Sequence, residues 1–150
     1  MSRFWSQTTK NIKPYVPGEQ PKDRKYVKLN TNENPYPPSP RVLEVIRSAA
    51  DETLRLYPDP SGDALRDTIA SSFGLIRENV YIGNGSDELL AFCFPAFFEP
   101  AGLPILFADV TYSFYPVYAQ LFHIPCRLIP LDEEFRLPGE GYLQENGVIL

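Results

Sequence analysis

The sequence has little cysteine and histidine. Among its 150 residues, only Cys93, Cys126 and His123 carry these side chains. Two cysteines are too few for the disulfide framework of a small secreted domain, so we expect both to be free, buried thiols in a reducing compartment. His123 follows a helical stretch, and a lone histidine there is predicted to be a surface residue rather than a catalytic base. We predict no metal site.

Long hydrophobic runs and an excess of positive charge are also missing. No apolar run reaches the roughly 18 residues of a membrane-spanning helix, and residues 1–7 lack the apolar core of a secretory signal. The 14 lysines and arginines face 19 aspartates and glutamates, for a net charge of −5. Nucleic acid and anionic membranes attract clustered positive charge, so neither is expected to be the main partner. We expect a cytoplasmic protein.

Apolar strands and amphipathic helices alternate along the chain. Strands are predicted over residues 80–82, 105–108 and 127–130 and from residue 147, and helices over 61–73 and 113–122 and from residue 86, the last with an interruption near Pro95. This alternation predicts an α/β fold with a mostly parallel sheet. Because the chain ends inside the apolar run 148–150, we expect it to be part of a larger protein.

A further helix is predicted after the proline-rich stretch 35–40. Ser39 is a suitable N-cap and Pro40 suits the first helical position. Val42, Val45 and Ile46 recur at helical spacing, so we expect this face of the helix to be buried.

The stretch VYIGNGSDELL, residues 80–90, places two glycines and a small acidic cluster between a predicted strand and a predicted helix. Ligands of parallel α/β sheets bind beyond the carboxyl ends of strands, and a helix N-terminus favours an anion such as phosphate. An ordinary helix cap with acidic residues that complement the helix dipole accounts for the same residues. The residues alone leave both interpretations open.

Two other segments are candidates for a binding site. Tyr112 follows the strand 105–108 and could place its ring against a planar cofactor at the same sheet edge, although core packing is the simpler interpretation. The segment LNTNENPYP, residues 29–37, offers asparagines and a glutamate before a rigid proline tract, a composition that is equally typical of a run of turns.

Four motifs together carry a family resemblance. LNTNENPYPPSP, YPDP, VYIGNGSDELL and VTYSFYPVYA follow one another in an order and at spacings that resemble the histidinol-phosphate aminotransferases. These are pyridoxal-phosphate (PLP) enzymes with the aspartate-aminotransferase fold, known as fold type I. The resemblance implies that residues 1–35 form a substrate-covering arm and that residues 36–150 form the first part of the large PLP-binding domain.

The resemblance implies a cofactor role for five residues. Ser86, Asp87 and Glu88 match the turn whose backbone amides hold the PLP phosphate, and Tyr112 matches the tyrosine that stacks on the pyridine ring. Tyr57, in the YPDP motif, matches a tyrosine that reaches the PLP phosphate of the neighbouring subunit. A homodimer with shared active sites is therefore expected.

The resemblance also implies substrate contacts. Tyr15 and the segment Asn32, Glu33 and Asn34 match regions that close over the imidazole and phosphate ends of histidinol phosphate. The implied reaction converts L-histidinol phosphate and 2-oxoglutarate to imidazole acetol phosphate and glutamate, in histidine biosynthesis. The threonine-phosphate decarboxylase of cobamide synthesis shares similar motifs and remains an alternative, as does a non-catalytic remnant.

Lysine is absent after residue 28; all five lysines lie at positions 10, 13, 22, 25 and 28. PLP transamination needs a lysine that carries the cofactor and shuttles a proton, and in this family that lysine follows the phosphate turn. The acid beside the pyridine nitrogen and the substrate arginine are also expected later in the chain. We therefore predict no catalytic residue within these 150 residues and no activity of this chain by itself.

Overall fold

A computed structural model describes residues 2–150 of the protein. The regular elements are five α-helices and three strands: α1 (Gln7–Asn11), α2 (Pro40–Ser48), α3 (Asp63–Phe73), α4 (Gly85–Phe97), β1 (Ile105–Ala108), α5 (Phe114–Leu121), β2 (Cys126–Ile129) and β3 (Val148–Ile149). Single turns of 3₁₀ helix cover Glu52–Arg55, Arg77–Asn79 and Gly139–Tyr142. No helix within residues 2–150 is long and apolar enough to cross a membrane.

The described chain divides into two compact units. The first, which we call the sheet unit, consists of residues 2–16 and 83–150, and the second, the α2–α3 unit, consists of residues 17–82. The predicted boundary between an arm over residues 1–35 and a domain over residues 36–150 stays a prediction.

The sheet unit is built on three parallel strands in the order β2–β1–β3. Ile105 pairs with Cys126 on one side and with Val148 on the other. All four residues of β1 are buried, because β1 is the central strand and both of its faces are covered. The strands predicted near residues 105, 127 and 147 and the parallel α/β architecture are confirmed.

The core of the sheet unit joins β1 to helices α4 and α5. Phe94 of α4, Phe107 of β1 and Tyr118 of α5 are all buried, and the rings of Phe94 and Tyr118 lie 5.4 Å apart. Burying one large apolar side chain contributes about 1.5–3 kcal/mol to folding. These contacts fix α4 and α5 against the sheet and therefore fix the loops at their ends.

The predicted interruption of the helix near Pro95 is wrong. Helix α4 continues through Pro95 to Phe97, and the N–H of Phe98 donates to the carbonyl of Phe94 at 3.0 Å. Proline removes one helical hydrogen bond and crowds the carbonyl four residues earlier, but because Pro95 lies in the last turn, α4 ends soon after it without being broken.

The strand predicted over residues 80–82 is also wrong. Val80 is extended and buried, but it forms no ladder with any strand in the part of the chain that the structure describes. The Arg66 side chain takes the place of a ladder partner, since its Nε donates to the carbonyl of Val80 at 2.8 Å. A run of β-branched and aromatic residues indicates a buried, extended segment, but it does not show that another strand pairs with it.

The apolar face of α2 is not buried as predicted. Val42, Val45 and Ile46 are 46%, 59% and 59% exposed. The helix itself forms as expected, because the Ser39 hydroxyl accepts from the N–H of Val42 and Pro40 opens the first turn. Amphipathic spacing therefore identified the helix but not what covers it.

Both cysteines are free, as predicted, but neither is fully buried. Cys126 is exposed because it begins β2, which lies at the edge of the sheet. Cys93 is only half-buried on α4. His123 is exposed after α5, as expected.

The N-terminal segment contains a helix that the sequence did not predict. Ser6 caps α1 by accepting from the N–H of Thr9 at 3.1 Å. Helix α3 ends as expected at Gly74, which adopts the left-handed conformation of a helix C-cap.

Candidate functional site

A tight turn precedes α4 in the sheet unit, and two glycines make it possible. A Cβ atom on Gly83 would lie 2.8 Å from Glu88 Oε2 and 2.9 Å from Leu89 Cδ2, so the ends of both side chains would have to shift. Gly85 has φ +79°, a backbone conformation that other residues adopt only with strain. Gly85 is therefore favoured by its backbone conformation, whereas a side chain at Gly83 would displace the ends of Glu88 and Leu89.

Glu88 stabilises this turn from within the helix. Its Oε2 accepts a hydrogen bond of 2.6 Å from the backbone N–H of Asn84, the residue before the first helical position. This backward bond resembles half of a capping box. It engages the carboxylate of Glu88 with a donor and holds the entry to α4 in place.

The first turn of α4 offers N–H groups to an anion. The side chain of the N-cap residue, Asn84, makes no capping hydrogen bond to this helix, and Glu88 bonds only the N–H of Asn84 itself. The N–H groups of Ser86 and Asp87 belong to the first turn and have no intrahelical acceptor. An uncapped helix N-terminus of this kind binds phosphate and other anions through its N–H groups and its dipole.

Asp87 connects this turn to two tyrosines. Its Oδ1 accepts from the hydroxyl of Tyr112 at 2.5 Å, and its backbone carbonyl accepts from the hydroxyl of Tyr118 at 2.7 Å. The hydrogen bond to the Asp87 carboxylate, together with some burial, raises the pKa of Tyr112 to about 12. Tyr112 therefore remains a neutral donor throughout the physiological pH range.

Tyr112 lies in the loop that follows β1, at the carboxyl end of the central strand. Its ring contacts Phe114 and Tyr115, with centroids 5.6 and 5.7 Å away. The residue remains 41% exposed, so part of its ring is open to a ligand. Because its hydroxyl is bonded to the first turn of α4, the partly exposed ring of Tyr112 lies next to the N–H groups of that turn.

Tyr15 extends this group of aromatic side chains. Its ring lies 4.5 Å from that of Phe114, with the two planes tilted by 31°. A cleft of about 340 Å³ lies beside Tyr15, between residues 13–16 and α5. The structure thus brings together Ser86, Asp87, Glu88, Tyr112 and Tyr15 within the sheet unit.

The other sequence-predicted site residues belong to the α2–α3 unit. Tyr57 is fully exposed. Glu33 forms an ion pair with Lys28, and this lysine lowers the pKa of the Glu33 carboxyl. Asn34 Oδ1 accepts from the N–H of Tyr36 at 2.9 Å, and Asn32 has φ +52°. These residues make defined local contacts, and their role as site residues stays a prediction.

Sequence reasoning missed Phe114 and Tyr118. Phe114 lies between Tyr15 and Tyr112, and Tyr118 holds the first turn of α4 from below through the carbonyl of Asp87. The available signal was the aromatic spacing of Phe114, Tyr118 and Phe122, which repeats every four residues on α5. That spacing predicts one helix face, but not that a hydroxyl on it reaches α4.

Comparison with known proteins identifies a family over most of the chain. The profile of the aminotransferase class I and II family matches residues 24–145. The matched range includes the turn before α4 and Tyr112.

Several curated relatives are similar to the whole chain. The histidinol-phosphate aminotransferases of Clostridium acetobutylicum and of Clostridium botulinum strain 657 are 55% and 59% identical over 150 and 147 residues. That of Pseudomonas putida strain W619 is 52% identical over 150 residues. These matches cover 98–100% of this chain, which spans only 41–43% of the length of these relatives.

A solved structure shares the fold. It is the crystal structure of histidinol-phosphate aminotransferase from Sinorhizobium meliloti in complex with pyridoxal-5'-phosphate, with a TM-score of 0.64 and 30% identity. The match covers 74% of this chain and 29% of that one. The predicted fold, the first part of a fold-type I large domain with a parallel sheet, is confirmed. The chain therefore belongs to the aminotransferase class I and II family.

Proposed function

We propose that the full-length protein to which this chain belongs is a histidinol-phosphate aminotransferase. It would transfer the amino group of L-histidinol phosphate to 2-oxoglutarate, yielding imidazole acetol phosphate and glutamate in histidine biosynthesis. The observation that carries this proposal is the 52–59% identity to histidinol-phosphate aminotransferases along the whole chain. The reaction and the relatives are consistent with a cytoplasmic protein.

PLP suits the site as it is built. The N–H groups of Ser86 and Asp87 would hold its phosphate, and the open part of the Tyr112 ring would lie against its pyridine ring. The carboxylates of Asp87 and Glu88 are held by hydrogen bonds from Tyr112 and Asn84, and the phosphate would be held by backbone N–H groups rather than by these side chains. When bound, PLP supplies an electron sink for negative charge that develops at the substrate α-carbon.

The role of this chain is to bind and orient. Asp87 fixes the hydroxyl of Tyr112 and thereby the plane of its ring. Tyr118, through the carbonyl of Asp87, fixes the first turn of α4 against the buried core. Both hydrogen bonds are made by residues whose positions are set by β1 and α5, so the site is preorganised before any ligand binds.

The family resemblance implies that further residues of this chain would enclose the substrate. We propose that Tyr15, Asn32, Glu33 and Asn34 close over the substrate and that Tyr57 reaches the cofactor phosphate of a second subunit. A homodimer would then be the functional form.

The catalytic lysine is not expected within residues 1–150. The five lysines all lie at or before residue 28, whereas the family resemblance places the cofactor lysine after the phosphate turn. We therefore propose that these residues bind and orient, and that the full-length protein carries the chemistry.

An assay of the full-length protein tests the proposed function. Purified protein with PLP and 2-oxoglutarate is given L-histidinol phosphate or threonine phosphate, and glutamate and carbon dioxide are measured. We expect glutamate formation with histidinol phosphate. Carbon dioxide release from threonine phosphate alone would replace the proposal with the decarboxylase alternative.

Two substitutions at one position connect the assay to the site. Tyr112→Phe keeps a stacking ring and loses the hydrogen bond to Asp87, whereas Tyr112→Ala loses both. We expect PLP to dissociate more readily from Tyr112→Ala than from Tyr112→Phe, because the contact between two stacked aromatic rings is worth about 0.5–1.5 kcal/mol. Equal PLP affinity in the two variants would show that the ring does not bind the cofactor.

A further inference from the structure

The N-terminal segment is attached to α5 by side-chain hydrogen bonds. Gln120 Nε2 donates to the carbonyl of Asn11 at 3.0 Å, and Gln120 Oε1 accepts from the N–H of Lys13 at 3.4 Å. Thr8 Oγ1 and His123 Nε2 lie 3.1 Å apart and form a second attachment. Residues 8–13 are thus held by the C-terminal part of α5 and by His123, which follows it.

The side-chain amide of Gln120 forms hydrogen bonds with two backbone groups of the N-terminal segment. The chain turns extended at Ile12, where α1 ends, and extended backbone outside a sheet needs partners for its N–H and C=O groups. A glutamine amide provides both a donor and an acceptor, so it pairs with the carbonyl of Asn11 and the N–H of Lys13 as a neighbouring strand would. The first aromatic residue after these two hydrogen-bonded positions is Tyr15.

Residues 13–16 lie against one face of α5. Ser113, Pro116, Val117 and Gln120 recur at intervals of three and four residues, so they share a face, and they line the 340 Å³ cleft together with residues 13–16. Gln120 is at the end of this face farthest from Phe114, on which the ring of Tyr15 rests at 4.5 Å. The segment is therefore fixed at two points, at Gln120 by hydrogen bonds and at Phe114 by ring contact.

We propose that Gln120 is a positioning residue that fastens residues 11–13 to α5 and thereby holds Tyr15 beside Phe114 and Tyr112. Gln120 does not touch the substrate; it acts through Tyr15. The inference rests on the proposed function only in assigning to Tyr15 a contact with the phosphorylated amino substrate. The attachment itself follows from the two hydrogen bonds.

Two variants and one control separate these parts. Gln120→Glu has nearly the same shape and retains the acceptor for Lys13, but it loses the donor and faces the carbonyl of Asn11 with a carboxylate. Gln120→Ala loses both hydrogen bonds. Gln20→Glu makes the same change of charge at an exposed position of the α2–α3 unit and serves as the matched control.

The first measurement needs no ligand and no activity. Amide hydrogen exchange over residues 11–15 is measured in the full-length protein, with chymotryptic cleavage after Tyr15 as an independent readout. Because one hydrogen bond is worth about 1 kcal/mol, we expect exchange over residues 11–15 to rise about fivefold or more in both Gln120 variants and to be unchanged in Gln20→Glu. Exchange within α4 and β1 should not change. Unchanged exchange over residues 11–15 in both variants would overturn the proposal.

The second measurement asks whether the fastening serves the substrate. In steady-state assays with L-histidinol phosphate, we expect KM to rise about fivefold in both Gln120 variants while kcat and the affinity for PLP stay near those of the unaltered protein. Faster exchange without any rise in KM would overturn the positioning role while the proposed function stands. Absence of turnover in the unaltered protein would remove the proposed function, and the exchange measurement would still decide whether Gln120 fastens the segment.

Discussion

Asp87 accepts hydrogen bonds through two different atoms, and each bond comes from a tyrosine far along the chain. Its carboxylate binds Tyr112 and its carbonyl binds Tyr118. Nothing in the stretch VYIGNGSDELL distinguishes Asp87 from an ordinary acidic residue at a helix start. The family resemblance pointed to this turn, but the pairing of Asp87 with Tyr112 spans 25 residues and is determined by the packing of α4 and α5 against β1.

The pKa of Tyr112 tests the hydrogen bond to Asp87. The pKa of Tyr112 is raised to about 12, chiefly by the hydrogen bond to the Asp87 carboxylate. In Asp87→Asn we expect it to fall toward its ordinary value near 10, because the amide accepts a hydrogen bond but carries no charge. The measurement is the pH dependence of the tyrosine Cζ chemical shift, with Tyr112→Phe to assign the resonance.

The same shift predicts a pH dependence of stability. The folded pKa of Tyr112 lies above the unfolded value, so its contribution to stability is fully present below pH 10 and is lost between about pH 10 and pH 12. Urea unfolding of the unaltered protein and Asp87→Asn should therefore differ more at pH 9 than at pH 12. A difference that grows with pH across this range would contradict the assignment.

Gly85 is required for its backbone conformation rather than for space. Nothing lies within 4 Å of a Cβ atom built on it, but its φ of +79° is strained for any other residue. Gly85→Ala is expected to cost about 1–2 kcal/mol of unfolding free energy and to weaken PLP binding, since the first turn of α4 must shift.

Gly139→Ala is the matched control for this measurement. Gly139 also has open space around its Cβ position, without a left-handed φ. We expect its unfolding free energy, measured in urea, to stay within about 0.5 kcal/mol of that of the unaltered protein. Equal losses in the two variants would mean that the conformation of Gly85 is not strained.

Helices and strands were predicted from sequence wherever the signal was local. The four residues of β1 form a continuous apolar run between turns, and α5 tolerates Pro116 because the proline lies in its first turn. The pairing of the extended segment at Val80 and the burial of the α2 face were mispredicted because both depend on contacts that are not local in the sequence. A strand pairs with another strand and a helix face is buried by another element, and neither a β-branched run nor helical spacing identifies that element.

Helix α3 and the 3₁₀ turn Arg77–Asn79 are held together by an arginine. Arg77 donates to both oxygens of Asp67, at 2.6 and 2.5 Å, and also to Asp63 Oδ2 at 2.7 Å. The hydrogen bond from Arg77 lowers the pKa of Asp67. A carboxyl with a lowered pKa contributes stability above its unfolded pKa, and this contribution is lost as the pH falls through the folded value.

Asp67→Asn should therefore destabilise the protein at neutral pH but not in acid. We expect its urea midpoint to lie below that of the unaltered protein at pH 7, with the gap closing as the pH falls below the ordinary aspartate pKa of about 3.9. Glu44→Gln, an exposed change of the same charge on α2, controls for net charge. A gap that persists unchanged in acid would show that the Asp67 carboxylate does not stabilise α3.

Considered as a whole, the chain divides its predicted site residues between two units. The sheet unit brings five of them together, whereas Tyr57 and residues 32–34 belong to the α2–α3 unit. The ordered motifs were enough to predict the family and the fold, because their order and spacing together are far more specific than any one motif. They could not predict which side chains touch, since hydroxyl and carboxylate contacts depend on the register of packed helices.

Binding of PLP to residues 1–150 alone is the prediction that concerns the molecule as a whole. In the proposed site, phosphate and ring contacts would come from Ser86, Asp87 and Tyr112, and no lysine follows Lys28 within residues 1–150. We expect reversible binding that is at least about tenfold weaker than in the full-length protein. A tenfold difference in affinity corresponds to about 1.4 kcal/mol, and we expect covalent attachment to a lysine to contribute more than this. Fluorescence titration measures the affinity, with circular dichroism to establish that the chain is folded.

Borohydride reduction then separates reversible from covalent binding. We expect no pyridoxyl group to remain on residues 1–150 after reduction and dialysis, whereas a lysine beyond residue 150 should retain it in the full-length protein. A pyridoxyl group mapped by mass spectrometry to one of Lys10, Lys13, Lys22, Lys25 or Lys28 would show that a lysine of this chain attaches the cofactor. Loss of binding in Tyr112→Ala, with retention in Gly139→Ala, would place the reversible site at the turn before α4.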